Sequence, residues 1–166
     1  MALERLNQLN DAEATEVLRT CCAAERWVRA MVASRPFHSA EDLHEKADKH
    51  WPDLTTEDWL EAFEAHPKIG DISSLKDKFA NTRDLASDEQ SYAALGSDEI
   101  LQRLAYGNEA YLEKFGFVFI ICATGKSADE MLLRLEERLE NTRADEIVNA
   151  SREQATITHL RLDKLV

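Results

Sequence analysis

Breakers of regular structure are scarce in this chain: five glycines and three prolines in 166 residues. That scarcity excludes collagen-like, Gly/Ser-linker and low-complexity architectures. Cysteine is also sparse. Cys21 and Cys22 are adjacent, Cys122 is left over, and no pair has metal-ligand spacing, so the count predicts reduced thiols and no disulfide framework. Basic residues are outnumbered. Twenty Lys and Arg face thirty-two Asp and Glu, a net charge of −12. Duplex phosphate and anionic membrane surfaces repel such a balance, so neither nucleic acid nor membrane is an expected partner. Long apolar runs are missing as well. No stretch approaches the roughly 20 residues of a membrane span, and Met1–Arg5 has no signal-peptide character. The expected location is the cytoplasm.

What is present is helical periodicity. Asn10-Asp11-Ala12-Glu13 has the form of a capping box, followed by Ala14, Val17, Leu18 and Cys21 at helical spacing. Further helices are predicted over about 24–34, 39–51 and from Thr55–Thr56 toward His66-Pro67, where the proline turns the chain. Residues 68–86 are the least regular, with a helical turn expected near Leu75–Phe79. Asp88-Glu89-Gln90 starts another segment, broken at Gly96, and Ser97-Asp98-Glu99 caps a long helix to Phe115. The apolar run Phe117–Ala123 suits a buried strand or a buried helical turn equally well. With no partner strand, it is read as an extended connector. Ser127–Glu130 is a second capping box, and Thr142 with Asp145 caps a final helix. The expectation is an all-α fold: one domain over 1–166, an irregular bundle of seven to nine helices.

Four segments are candidates for chemistry. His66-Pro67-Lys68-Ile69-Gly70-Asp71 sets a titratable ring at a helix end beside a rigid proline and a permissive glycine. It reads either as a general acid or base facing a pocket or as a C-terminal cap complementing the helix dipole. Ser87-Asp88-Glu89-Gln90 offers a carboxylate to orient that imidazole, or simply acids in a first helical turn. Thr124-Gly125-Lys126-Ser127 has the tail of a phosphate loop, but the required earlier glycine is Ile120. The remaining role is backbone N–H groups, near the helix start at Ser127, for an anion or a carbonyl oxygen. Arg161 is able to hold a carboxylate in two parallel hydrogen bonds, or to serve as an ordinary surface arginine.

His38, His44 and His50, six apart, do not share a helix face, so no zinc site is expected. Cys122 in an apolar run and Cys22 at a helix end are poor nucleophiles. Trp27, Trp51 and Trp59 read as core.

Taken in order, Leu18–Trp27, His66–Gly70, Ser87–Gln90, Tyr111–Ser127 and Ile157–Leu165 resemble the OHCU decarboxylase family, the 2-oxo-4-hydroxy-4-carboxy-5-ureidoimidazoline decarboxylases of urate breakdown. The resemblance spans nearly the whole chain. Its most distinctive blocks are His-Pro-Lys-Ile-Gly and Phe-Ile-Ile-Cys-Ala-Thr-Gly-Lys-Ser. Ala23-Ala24 stands where many relatives have Gly-Ser, so no role is carried over from that segment. The resemblance implies the family's all-α fold, a homodimer, no metal and no organic cofactor. It implies decarboxylation of a small anionic ureidoimidazoline to (S)-allantoin, the third step of urate oxidation. It makes His66 the proton donor with Glu89 beside it. Pro67, Asp84, Leu85, Ala86, Ser87, Asp88, Phe119, Ile120, Ile121, Cys122 and Ala123 would line the substrate site, with Arg161 meeting the substrate. The expected sink is a ring carbonyl next to the carboxylated carbon, which would accept the electrons as an enolate; the substrate is then its own electron sink, and neither pyridoxal nor thiamine is called for. The alternatives are a non-enzymatic helical dimerisation module, or the same fold acting on another ureido or imidazoline acid.

Overall fold

Asn10 Oδ1 accepts from the Glu13 N–H at 2.9 Å while the Glu13 carboxylate takes the Asn10 N–H at 3.2 Å, closing the expected capping box. This start signal opens α2 (Asp11–Arg19). It is preceded by α1 (Leu3–Gln8), a short helix that sequence reading missed because it has no side-chain cap. The computed structural model describes residues 1–67 and 98–166. Along them follow α3 (Glu25–Ala33), α4 (Ala40–His50), α5 (Thr56–Glu64), α6 (Asp98–Phe115), α7 (Ala128–Leu139) and α8 (Arg143–Leu165). Among the described residues there are eight helices and no strand, so the all-α expectation is met. The turn near Leu75–Phe79, the start at Asp88 and the break at Gly96 lie outside the described residues.

The chain divides into two compact units. The first comprises residues 1–65 and 147–166, the second residues 66–146. In the first, Leu6, Leu18, Trp27, Val28, Met31, Phe37, Leu43 and Leu162 form a core closed to solvent. Polar clamps join its short helices. Arg35 donates to the carbonyls of Leu6 (3.1 Å) and Leu9 (2.7 Å), which α1 cannot satisfy itself, and to Asp11 (2.7 Å). Asn7 and the Phe37 backbone exchange two hydrogen bonds of 2.8 Å. Trp27 and Trp51 are buried, as expected, and each indole N–H reaches a carbonyl, of Ala47 and Ser151 respectively.

In the second unit, α6 buries Leu101, Leu104, Tyr111 and Phe115, and α7 buries Met131, Leu132 and Leu135. The two pack at the closest approach glycine permits: a Cβ on Gly107 would stand 2.6 Å from Leu135 Cδ2. Gly116 (φ +81°) ends α6, its N–H bonded to the Leu112 carbonyl at 2.8 Å. At the start of α7, Ser127 Oγ accepts from the Glu130 N–H at 3.2 Å, one of the two bonds of the expected box.

Candidate active site

α5 ends at Glu64 with Ala65 as its cap, so His66 lies just beyond the helix, half-buried, with Pro67 exposed after it. The capping box at Thr55–Asp58 fixes the other end of α5, and Phe63 anchors it in the core. His66 and Pro67 belong to the second unit.

The run Phe117–Ala123 is neither strand nor helix, as read from the sequence. Phe117, Ile120 and Cys122 are buried, and Phe119, Ile121 and Ala123 are half-buried. Without a ladder of its own, the connector is held by tertiary contacts. Phe117 and Phe119 each meet Tyr111 in a T-shaped contact, with ring centroids 5.7 and 5.2 Å away. Arg138 Nη1 donates to the Ile120 carbonyl at 2.6 Å, and its guanidinium lies 4.6 Å from the Phe119 ring. Lys126 Nζ donates to the Cys122 carbonyl at 2.9 Å, and the Lys126 N–H closes a turn on the Ala123 carbonyl at 3.1 Å. That turn needs Gly125, whose φ is +76°.

Arg161 stands on α8 in the first unit, half-buried. Its Nη1 reaches the Thr20 and Cys21 carbonyls at 3.5 and 3.4 Å, beyond the end of α2. Among the described residues no partner takes its Nε or Nη2. Cys21 and Cys22 lie beside it. Burial raises both thiols, Cys22 to about 11, so they stay protonated. The expectation that Cys22 is inert is thus met by burial rather than by a helix dipole, since α2 has already ended at Arg19. Asp84, Leu85, Ala86, Ser87, Asp88 and Glu89 lie outside the described residues.

Sequence reading missed the charged group beneath the connector. Arg138 and Glu146 are both buried; Nε of one meets Oε1 of the other at 2.6 Å, and Tyr111 donates to the same oxygen at 2.6 Å. Burial and then that bond hold the Tyr111 phenol well above its ordinary range, so it remains a donor. The available signal was Arg138 falling on the apolar stripe of α7, one turn after Leu135 and two after Met131.

The OHCU decarboxylase family profile matches residues 7–163. The chain belongs to that family. A uric acid degradation bifunctional protein of Arabidopsis thaliana is 40% identical over 147 residues, which is 89% of this chain and 45% of the relative. The chain therefore spans about half the length of that bifunctional relative. A 2-oxo-4-hydroxy-4-carboxy-5-ureidoimidazoline decarboxylase of Haloferax volcanii is 29% identical, covering 98% of this chain and 94% of the relative. Among solved structures, an OHCU decarboxylase crystallised in the presence of (S)-allantoin superposes with a TM-score of 0.72 at 37% identity, over 89% of this chain and 94% of that one.

Proposed function

We propose that this chain, acting as one domain, converts 2-oxo-4-hydroxy-4-carboxy-5-ureidoimidazoline to (S)-allantoin and CO₂. The observation that carries this reading is the fold match, at 37% identity, to an OHCU decarboxylase crystallised with (S)-allantoin.

The substrate's name dictates the chemistry. C4 carries both hydroxyl and carboxylate, so the ring double bond lies at C5=N1, next to the carboxylated carbon. As CO₂ leaves C4, its electron pair forms C4=C5 and the C5=N1 pair moves to N1. Protonation at C5, with the C4 hydroxyl proton ending on N1, then gives the ketone of neutral allantoin. The electron sink is thus the imine rather than a ring carbonyl, and the step runs without a cofactor's help. The protein's tasks are to hold an anion, stabilise developing charge, and deliver a proton to one face of C5.

In this reading His66 is the proton donor, with Glu89 keeping it protonated. Arg161 takes the carboxylate with its uncommitted edge, and backbone N–H groups of Phe119–Ala123 face the ring. Pro67 and Asp84–Asp88 complete the lining. The same reading makes the protein a cytoplasmic homodimer, which light scattering checks as a doubled mass.

The experiment generates the unstable substrate from urate in situ and follows the appearance of (S)-allantoin by circular dichroism. The protein should accelerate it, and His66→Ala should abolish enantiospecific product while staying folded; a positioned acid is worth about 10²- to 10⁴-fold. Normal turnover by that variant would remove His66 from the mechanism, and no acceleration by the parent chain would sink the function.

A further inference from the structure

The buried pair Arg138–Glu146 calls for an explanation that stability does not supply, because well-packed apolar residues stabilise a core at least as well as a buried ion pair. What apolar residues cannot do is hold a backbone carbonyl. The three nitrogens of Arg138 point to three different acceptors: Nε to Glu146 Oε1 at 2.6 Å, Nη2 to the Tyr111 hydroxyl at 3.3 Å, Nη1 to the Ile120 carbonyl at 2.6 Å. Glu146 is fully buried and is itself fixed through Oε2 by Asn141 Nδ2 at 2.9 Å. The guanidinium plane is therefore locked on all sides, and the atom it offers to the connector is locked with it.

A trans peptide is planar, so the Ile121 N–H points opposite to the Ile120 carbonyl. Holding that oxygen against Arg138 aims the next N–H away from the buried pair. The adjacent positive charge also polarises the peptide and strengthens that N–H as a donor. We propose that Arg138 is a positioning residue: by fixing the Ile120–Ile121 peptide it presents the Ile121 N–H to the charge that develops on the substrate. The inference rests on the proposed decarboxylation. It also explains why the residue is arginine, since one ammonium on a flexible stem does not serve three fixed directions.

The test is Arg138→Lys in the full chain, which keeps a positive charge opposite Glu146 and loses the fork. With circular dichroism showing a folded protein at assay temperature, kcat should fall tenfold or more while KM stays within threefold. Leu135→Ala, fully buried on the same helix, is the control: it should lower the melting temperature and leave kcat within threefold. An unchanged kcat in Arg138→Lys, or an equal fall in Leu135→Ala, overturns the inference while the proposed function stands. No turnover by the parent chain overturns both. If the lysine variant does not fold, the parent decides: the Ile121 amide resonance should move on titration with (S)-allantoin, and an unmoved resonance overturns the inference.

Discussion

The imidazole of His44 stacks on that of His159 at 4.4 Å, with ring planes 17° apart. Each ring bonds the aspartate one helical turn on from the other: His44 Nε2 with Asp163 Oδ1 at 2.7 Å, His159 Nε2 with Asp48 Oδ1 at 2.5 Å. Two His-x-x-x-Asp turns, one on α4 and one on α8, thus interlock within the first unit. The stack is one contact rather than two independent ones. A double-mutant cycle of His44→Ala and His159→Ala should give a coupling of about 0.5–1.5 kcal/mol from denaturant melts. Strict additivity would show that the stack contributes nothing.

His50 answers acid. Burial, reinforced by Lys49, holds its pKa below the ordinary 6.5, and its Nε2 lies 2.8 Å from Ser34 Oγ. The unfolded chain therefore binds this proton more tightly than the native state does. The stability it contributes is fully present above pH 6.5 and is lost as pH falls from there toward the folded value. Between about pH 7.5 and 5.5 the parent should lose more melting temperature than His50→Gln, which does not titrate there. Parallel curves would refute the assignment.

Gly107→Ala should destabilise although alanine is the better helix former. The helix gains up to about 1 kcal/mol, but the new methyl meets Leu135 Cδ2 at 2.6 Å, and Leu135 is fully buried. Overpacking costs roughly 1–3 kcal/mol. Chemical denaturation should show a net loss, recovered by adding Leu135→Val if the clash is the cause.

Arg161→Ala should weaken capture of the carboxylated substrate and raise KM about 10- to 100-fold, the worth of a charged hydrogen bond, with a smaller change in kcat. Lysine should restore little, because a single ammonium lacks the parallel pair of donors. A thermal melt separates this from instability caused by losing the contacts to Thr20 and Cys21; a KM equal to the parent's would dismiss the role.

The helices were legible where their ends carried side-chain caps. Asn10, Ser39, Thr55 and Ser127 each accept from the N–H three residues on, and the helices begin there. α1 was not, because Ala2 offers no such oxygen. The connector was legible as apolar and irregular, yet what holds it was not: Arg138 lies 18 residues from the carbonyl it grips, and nothing local announces the pairing. The stacked histidines are hidden for the same reason, since His44 and His159 meet only once α4 and α8 are packed. His66, Glu89 and Arg161 entered as candidates through local oddity and through family resemblance. Burial of an arginine on an otherwise apolar stripe was the clue in the sequence that reading passed over.

Cys21 and Cys22 sit sealed in the first unit, 2% and 1% exposed, with their protons held by burial. Two neighbouring sulfurs that no alkylating reagent meets in the native state become a built-in clock for the opening of that unit. Their labelling rate, divided by that of a free thiol peptide, reads the fraction of time the end of α2 comes away from the core, with no probe attached beforehand.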